Sequence, residues 1–213
     1  MSEILSVDPF HPDDRVLKRA AAVVAAGGLI VYPTETVYGI GADATNPFAL
    51  RRVSEAKGRK AAKPILVVVN STEMMLPYVK EIRPAARRLM ERFWPGPLTL
   101  VFAASDKASP ELTQDTGTIG IRIPSSQVCL QLVSQLGAPL TSTSANLSGT
   151  EPARAIQEIR SRLRDIEVFL DAGELPESLP STIVDVSGEV FRVLRRGAIA
   201  VEELTPLVAG IEM

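Results

Sequence analysis

Cysteine and histidine are almost absent from this sequence, and their scarcity excludes several kinds of chemistry. The chain of 213 residues has one cysteine, Cys129, and one histidine, His11. One cysteine cannot form an internal disulfide or a cysteine-based zinc cluster, and one histidine cannot build a multi-histidine metal site. Serine–histidine–aspartate, cysteine–histidine and zinc-hydrolase mechanisms are therefore poor fits. We interpret Cys129 as a small buried hydrophobic residue and His11 as a solvated turn residue.

Long apolar runs are also lacking. Apolar stretches such as residues 64–69 are far shorter than the roughly 20 residues that a membrane-spanning helix needs. Residues 1–14 are acidic and lack the basic start and apolar core of a secretory signal. Together with the single cysteine, these features predict a soluble cytoplasmic protein with no membrane partner.

The overall composition is that of a folded, slightly acidic domain. The formal net charge is −2, and 46% of the residues are hydrophobic. This charge argues against a nucleic-acid-binding surface that covers the whole protein. Segments of strand length alternate with segments of helical periodicity, which predicts an α/β fold with a twisted mixed sheet, parallel and antiparallel, flanked by helices. We expect a single domain over residues 1–213, with a core of about residues 13–200.

Helix caps and turn residues set the bounds of the predicted elements. Asp13 and Asn46 each precede a segment of helical periodicity. Helices are predicted near residues 14–26, 47–57, 84–93, 126–136 and 152–163. Strands are predicted near residues 29–32, 64–70, 98–102, 118–123, 139–142, 167–170, 183–186 and 190–194. Residues 33–44 are predicted to form a loop, and residues 173–180 are the best candidate for a mobile loop.

A first polar segment follows the predicted strand at residues 29–32. It carries Thr34, Glu35 and Thr36, and ligands of open α/β sheets gather at strand ends. Gly39 and Gly41 mimic a dinucleotide-binding fingerprint, but they come too late after the strand, and the position about 20 residues on is a lysine. We therefore reject a Rossmann site. An ordinary polar loop is the alternative.

A second segment concentrates positive charge between residues 51 and 63. It holds six cations and one acid, Glu55, within a chain that is acidic overall. The six cations are Arg51, Arg52, Lys57, Arg59, Lys60 and Lys63. This concentration indicates a local anion site, since lysine offers a point charge and arginine a planar fork to phosphate oxygens. A solvated helix face is the alternative.

A third segment, residues 141–149, is rich in hydroxyl groups and precedes a predicted helix. Its hydroxyls, an amide and nearby backbone N–H groups could cradle a phosphate or a carboxylate. It lacks the Gly-Lys-Ser/Thr of a Walker loop, and a Ser/Thr-rich turn is the alternative. Arg122 is a further charged candidate. It lies inside a predicted apolar strand, where its partner is either a substrate carboxylate or a structural acid.

Taken in order, these segments resemble the motifs of the Sua5/YrdC/YciO family. The matching motifs are Tyr-Pro-Thr-Glu-Thr-Val-Tyr-Gly at 32–39, Lys-Gly-Arg at 57–59, Trp-Pro-Gly-Pro at 94–97, Arg-Ile-Pro at 122–124, Ser-Thr-Ser-Ala-Asn-Leu-Ser-Gly at 142–149 and Ser-Thr-Ile-Val-Asp at 181–185. They cover about residues 28–197, nearly the whole chain. The resemblance implies a YrdC-like α/β fold with a concave, positively charged cavity.

The resemblance also implies an activity, L-threonylcarbamoyladenylate synthesis. In the YrdC and Sua5 branch, L-threonine, bicarbonate and ATP give threonylcarbamoyl-AMP and pyrophosphate, and the adenylate is used to make N6-threonylcarbamoyladenosine in tRNA. The threonine amine captures carbon dioxide or bicarbonate as a carbamate, whose oxygen attacks the α-phosphate. Mg²⁺ would be carried by the ATP phosphates, so no dedicated metal site is expected. A tRNA or a tRNA-modifying protein would be a downstream partner.

Carried over residue by residue, the motifs imply two groups of site residues. Lys57 and Arg59 would be the catalytic cations on the ATP phosphates. Further nucleotide contacts would come from Lys63, Thr118, Ser144, Asn146 and Arg195. Threonine would be held by Thr34, Arg122, Ser142 and Ser181 or Thr182, with Arg122 on its carboxylate.

Two other functions stay open at this point. One is that of the YciO-like branch, which is similar in fold and is expected to bind RNA or nucleotides without a major role in this tRNA modification. The resemblance to the family also implies double-stranded RNA binding by this protein. The other is a pure RNA-binding module. The acidic balance and an aromatic content of 5% argue against the latter, because proteins that bind single strands use aromatic stacking platforms. From the length of 213 residues we also expect that the extra C-terminal domain of the longer Sua5 type is lacking.

Overall fold

A computed structural model describes residues 2–58, 64–208 and 210–212. Within these ranges the chain forms eleven strands, eight α-helices and one short 3-10 helix, Leu76–Tyr78. The strands are β1 Glu3–Ser6, β2 Ile30–Tyr32, β3 Gly39–Gly41, β4 Val67–Val68, β5 Leu98–Ala103, β6 Thr118–Arg122, β7 Leu140–Thr141, β8 Thr143–Ser144, β9 Val168–Asp171, β10 Thr182–Asp185 and β11 Arg192–Arg195. The helices are α1 Asp14–Ala25, α2 Pro47–Ala56, α3 Thr72–Met75, α4 Pro84–Phe93, α5 Pro110–Thr113, α6 Gln127–Leu136, α7 Ile156–Arg162 and α8 Val201–Leu204.

Three of the longer helices, α1, α2 and α6, begin with a side-chain cap, and two of these caps, Asp13 and Asn46, are the residues that the sequence indicates. The Asp13 carboxylate accepts from the backbone N–H of Arg15 at the start of α1, and the Asn46 side chain accepts from two N–H groups at the start of α2. Ser126 caps α6, which ends at Gly137 with φ +68°. These side chains satisfy N–H groups that the first turn of a helix leaves without partners. The predicted positions of these helices are confirmed.

The strands form two mixed sheets, so the predicted mixture of parallel and antiparallel pairing is confirmed, whereas a single sheet was expected. The first sheet has the order β1-β9-β2-β3-β8 and the second the order β11-β10-β5-β6-β4-β7. In the first, β9 pairs in parallel with β1 and β2, while β3 is antiparallel to β2 and β8. In the second, β5 is antiparallel to β6 and parallel to β10.

Strand β3 corrects the prediction that residues 33–44 form only a loop. Its glycines lower strand propensity, which hid it from the sequence analysis. Gly41 is nevertheless required, because an added Cβ would lie 2.8 Å from Cγ1 of Ile30 and 2.9 Å from Cε1 of Tyr32 on the neighbouring strand. The predicted strand at 64–70 is likewise reduced to two residues, Val67–Val68.

Two apolar clusters hold these layers together. The larger includes Tyr38, Leu100, Phe102 and Phe169 and extends through the second sheet and its helices. The smaller lies where α1 and α6 pack on the first sheet and includes Leu17, Tyr32 and Cys129. None of the helices in the described ranges is long and apolar enough to cross a membrane.

Candidate functional site

A cavity of about 790 Å³ is lined by residues of both sheets and by the loops that follow their strands. It brings together nine of the predicted site residues: Thr34, Lys57, Thr118, Arg122, Ser142, Ser144, Asn146, Ser181 and Arg195. In sequence these residues are spread over more than 160 positions, so the tertiary fold creates the site. We call this space the main cavity.

Of the other three predicted residues, one lies off the cavity wall and two lie outside the described residues. Thr182 is fully buried, and its hydroxyl donates to the carbonyl of Ile199 at 2.7 Å while accepting from the Ile199 N–H at 3.0 Å. Because side chains alternate along a strand, Ser181 lines the cavity and Thr182 instead anchors the C-terminal segment. Arg59 and Lys63 lie outside the described residues, so their predicted roles remain predictions.

Lys57 and the loop that binds its ammonium form the Lys57 cluster, which consists of Lys57, Ser144 and Asn146. Lys57 ends α2 and is only 4% exposed. Its Nζ donates to the carbonyl oxygens of Ser144 at 2.5 Å and Asn146 at 2.9 Å, and lies 3.4 Å from Oδ1 of Asn146. These three acceptors are neutral oxygens, and they orient the ammonium at the cavity wall.

The loop after Ser144 is itself held rigidly. Nδ2 of Asn146 donates to the carbonyls of Leu147 at 2.9 Å and Thr150 at 2.5 Å. The Ser148 N–H donates to the Lys57 carbonyl at 3.0 Å, so the loop and the end of α2 bind each other in both directions. Asn146 therefore has a structural role in addition to lining the cavity.

Arg122 and its partners form the Arg122 cluster, which consists of Thr34, Glu35, Thr36 and Arg122. Nε of Arg122 donates to the Gly96 carbonyl at 3.1 Å, and Nη1 lies 3.3 Å from the Thr36 hydroxyl. Nη2 lies 2.5 Å from Oε1 of Glu35, with side-chain exposures of 7% for Arg122 and 20% for Glu35. The structural acid that the sequence analysis offered as one partner of Arg122 is therefore present.

A tight turn places the threonine hydroxyls of this cluster. Oγ1 of Thr34 accepts from the N–H groups of Thr36 and Val37, both at 3.0 Å, and lies 2.9 Å from Oγ1 of Thr36. Such a turn forms readily because a hydroxyl can replace a backbone acceptor two or three residues along. Thr34 thus shapes the loop that carries Glu35 and Thr36.

Arg195 enters the cavity from the last strand of the second sheet. Its Nε and Nη2 both donate to the Ser181 carbonyl, at 3.0 and 2.8 Å, and Nη2 also contacts the Ser181 hydroxyl at 3.0 Å. Burial, and secondly the positive charge of Arg122, lower the pKa of Arg195. Two guanidinium groups that repel each other beside one cavity are typical of a site for an anion.

Gly197 allows the chain beyond Arg195 to pass close to this strand. A Cβ at Gly197 would lie 2.2 Å from the Pro180 carbonyl oxygen and 2.6 Å from the Thr182 nitrogen. These are backbone atoms, which cannot move aside as a flexible side chain can. The glycine therefore fixes how Arg195 and Ser181 meet.

The segment predicted as a mobile loop, residues 173–180, is tied to the first polar loop. The Tyr38 hydroxyl donates to the Gly173 carbonyl at 2.8 Å, and the Ser178 hydroxyl donates to the Thr36 carbonyl at 2.5 Å. Burial raises the pKa of Tyr38 to about 12, so this hydroxyl stays protonated as a donor. Pro180 lines the cavity directly.

Sequence reasoning missed several residues of the site. Glu35, Thr36 and Thr99 were not among the predicted site residues, although Thr36 and Thr99 line the cavity and Glu35 holds Arg122. Thr99 lies 2.9 Å from the Ser181 hydroxyl across the pair β5–β10. Glu35 lay within a quoted motif, but nothing in the sequence indicated that it lies beside Arg122, 87 positions further on.

Cys129 and His11 behave as the sequence suggests. Cys129 is fully buried, and burial raises the pKa of its thiol to about 12. His11 is exposed, and its backbone N–H donates to Asp8 in an N-terminal turn. No group of three or more histidine, cysteine or acidic side chains suited to a metal ion occurs in the described part of the chain.

Comparison with known proteins identifies the family of this chain. The family model Sua5_yciO_yrdC, described as "Telomere recombination", matches residues 22–197. The chain belongs to the Sua5/YrdC/YciO family. Two relatives are a threonylcarbamoyl-AMP synthase of Pyrococcus abyssi, 35% identical, and a putative threonylcarbamoyl-AMP synthase of Mycobacterium tuberculosis, 38% identical. The matches cover 92% and 93% of this chain, but 58% and 91% of those two proteins.

Solved structures of the Sua5/YrdC/YciO family share the fold. P. abyssi Sua5 complexed with L-threonine matches with a TM-score of 0.93 and 32% identity, covering 99% of this chain and 62% of that one. E. coli YciO matches with a TM-score of 0.88 and 27% identity, covering 98% of this chain and all of that one. The chain thus spans about three fifths of the P. abyssi proteins and nearly all of the shorter relatives, and the expected YrdC-like fold is confirmed.

Proposed function

We propose that this protein is an L-threonylcarbamoyladenylate synthase, which makes threonylcarbamoyl-AMP and pyrophosphate from L-threonine, bicarbonate and ATP. The observation that carries the proposal is the main cavity, which collects Lys57, Arg122 and Arg195 together with a set of hydroxyl groups. Its volume of about 790 Å³ is within the range of small-molecule sites, roughly 300–1,000 Å³. The relatives that are threonylcarbamoyl-AMP synthases by name add support.

In this proposal the Lys57 cluster faces the ATP phosphates. The Lys57 ammonium is buried and fixed by carbonyls, so it needs no rearrangement to stabilise charge that develops on the phosphates. Ser144, Thr118 and Arg195 would contribute further polar contacts, and Arg59 and Lys63 retain their predicted roles as cations. No protein nucleophile is required, because the carbamate oxygen attacks the α-phosphate and pyrophosphate leaves.

The Arg122 cluster would hold threonine. Its hydroxyls, with Ser142 and Ser181 on the facing wall, suit a small amino acid that carries a hydroxyl of its own. Arg122 would meet the substrate carboxylate while remaining fixed by Glu35, Thr36 and Gly96. Its pairing with Glu35 makes it a positioned donor rather than a bare charge.

Mg²⁺ fits this cavity as an ion carried by the phosphates. Asp185 is a carboxylate on the cavity wall, and its Oδ1 accepts from the N–H and hydroxyl of Ser187. One such carboxylate suits an ion that keeps most of its water, whereas a protein cage would need more ligands. When bound, the ion would neutralise phosphate charge, and Asp185 would hold its water shell.

The decisive experiment measures pyrophosphate release from ATP with Mg²⁺ while L-threonine and bicarbonate are omitted one at a time. We expect release only when both are present, and threonylcarbamoyl-AMP as the second product. Release that is independent of threonine would contradict the proposal. We further propose that the protein works in the cytoplasm and that its adenylate is passed on to tRNA modification, which a reconstitution with tRNA and the modifying proteins would test.

The similarity to E. coli YciO favours a second candidate, a protein that binds RNA or nucleotide without making the adenylate. Binding of double-stranded RNA in the absence of ATP, followed across salt concentrations, separates the two. Tight RNA binding without threonine-dependent pyrophosphate release would support this second function.

A further inference from the structure

A second cavity, of about 430 Å³, lies away from the main cavity and shares none of its lining residues. It is bounded by α2, by the end of α7 and by the start of β9. Three arginines line it: Arg52 from α2, and Arg160 and Arg164 from the end of α7 and the turn that follows. Arg52 belongs to the cation-rich segment at residues 51–63, whereas Arg160 and Arg164 lie outside the motifs described above.

Arg52 forms the rigid wall of the second cavity. Its side chain is 20% exposed, and its Nη atoms donate to the carbonyls of Gly27 and Asp165, both at 3.0 Å. Nη2 also lies 2.6 Å from Oε1 of Glu167, whose other oxygen accepts from the Leu29 N–H at 2.7 Å. Arg52 and Glu167 therefore neutralise each other and hold the surrounding backbone in place.

Arg160 and Arg164 differ from Arg52, because neither makes a side-chain hydrogen bond or ion pair in the described part of the chain. Their neighbours do: Arg162 pairs with Glu158, and Arg154 pairs with Glu174. Both arginines line the second cavity, Arg160 from the last turn of α7 and Arg164 from just beyond the helix end. A bound anion would neutralise their positive charges.

The remaining charges leave the second cavity positive. Asp165 and Glu167 also line it, but Glu167 is already committed to Arg52 and the Leu29 N–H. Two guanidinium groups against the single carboxylate of Asp165 leave a net charge of +1. The negative C-terminal end of the α7 dipole favours a cation at Arg160. It does not explain Arg164, which lies beyond the helix end, or Arg52, which belongs to α2.

We propose that the second cavity binds a phosphate group, with Arg160 and Arg164 as its charged ligands and Arg52 as the fixed wall. Guanidinium groups bind phosphate oxygens through paired, charge-assisted hydrogen bonds, which fits two exposed forks beside one cavity. The phosphate could be inorganic or part of an RNA backbone. This phosphate site is separate from the main cavity, and its existence does not depend on the proposed synthase activity.

The test is a titration of the full chain with inorganic phosphate, followed by NMR of the arginine Nε–H groups. These signals report the second cavity directly, so phosphate bound at the main cavity does not confuse the result. We expect saturable shifts of the Arg160 and Arg164 signals, and binding at least about tenfold weaker in R160Q and R164Q. The control R87Q/R92Q removes the same charge from α4 and should leave these shifts unchanged.

A second arm replaces phosphate with a short RNA duplex. Shifts of the same signals at much lower concentration would identify an RNA backbone as the source of the phosphate, and shifts with inorganic phosphate only would identify a small ligand. Absence of shifts with both probes would overturn the proposal. Equal phosphate affinity of R160Q and of R87Q/R92Q, each measured on the Arg164 signal that both variants keep and with both folded by circular dichroism, would overturn it as well.

Discussion

The Lys57 cluster and the Arg122 cluster hold their cations in different ways. Lys57 donates to the carbonyl oxygens of Ser144 and Asn146 in a single loop, which fix its position. Arg122 is bound by the Glu35 carboxylate and the Thr36 hydroxyl of one turn and by the Gly96 carbonyl of a second segment, and the carboxylate offsets its charge. The first arrangement suits a highly charged phosphate, and the second suits precise placement of a small ligand.

The difference also predicts how each cluster fails. Removing a cation from neutral carbonyls leaves unpaired acceptors, whereas removing a cation from a carboxylate leaves a buried charge, which costs more free energy. Lys57 should therefore matter chiefly for activity, and Arg122 for activity and folding together.

The largest effect is expected for Arg122→Gln. Glu35 would keep a largely buried charge without its partner, and we expect the free energy of unfolding to fall by about 3 kcal/mol, measured by urea denaturation. The exposed Arg87→Gln should change it by less than about 0.5 kcal/mol. The double variant R122Q/E35Q should recover part of the loss, and equal stabilities of R122Q and R87Q would remove the distinction between the two clusters.

The next effect is expected for Lys57→Ala. Loss of a preorganised charge at the phosphates should lower the rate of pyrophosphate release by about 100-fold or more. Two carbonyls would also lose their donor, so unfolding free energy should fall by about 1–2 kcal/mol, less than for R122Q. Lys80→Ala, at an exposed lysine, is the matched control, and a K57A rate within a few-fold of the parent would contradict the assignment.

A smaller effect is expected for Thr36→Val, which keeps the shape of the side chain. The substitution removes a hydroxyl that lies 3.3 Å from Arg122 and 2.9 Å from the Thr34 hydroxyl. We expect unfolding free energy to fall by about 1 kcal/mol. In the R122Q background the same substitution should cost less, because one of its two partners is gone. If T36V lowers the free energy of unfolding by the same amount in the parent and in R122Q, Thr36 does not act through Arg122.

The smallest effect is expected from alkylating reagents at Cys129, which packs beneath the Arg122 cluster and contacts the Pro33 carbonyl at 3.5 Å. Burial raises the pKa of this thiol from an ordinary 9.0 to about 12, so it stays protonated as pH rises through 9. Native protein treated with iodoacetamide at pH 8 should keep its activity. Urea-unfolded protein should react readily, and rapid labelling of the native form would indicate that this part of the fold opens easily.

The helices and the class of fold were readable from the sequence because their signals are local. Asp13, Asn46 and Ser126 mark helix starts through their own side chains, and apolar periodicity marks the faces that are buried. The division into two sheets was not readable, because short strands such as β3 and β8 pair across long stretches of chain. A glycine-rich strand such as β3 also has little intrinsic β-strand propensity.

By itself, the sequence determined which residue types carry the chemistry. It supplied the motifs, the hydroxyl-rich loops and the cations, and it excluded chemistry that depends on cysteine or histidine. Tertiary structure alone decided their partners, since Glu35 reaches Arg122, and Lys57 reaches the loop after Ser144, only when distant segments fold together. Because side chains alternate along the chain here, Ser181 lines the cavity while the Thr182 side chain is buried against Ile199. Charge and hydrogen-bonding capacity belong to single residues, whereas burial and neutralisation depend on neighbours that the chain brings together only on folding.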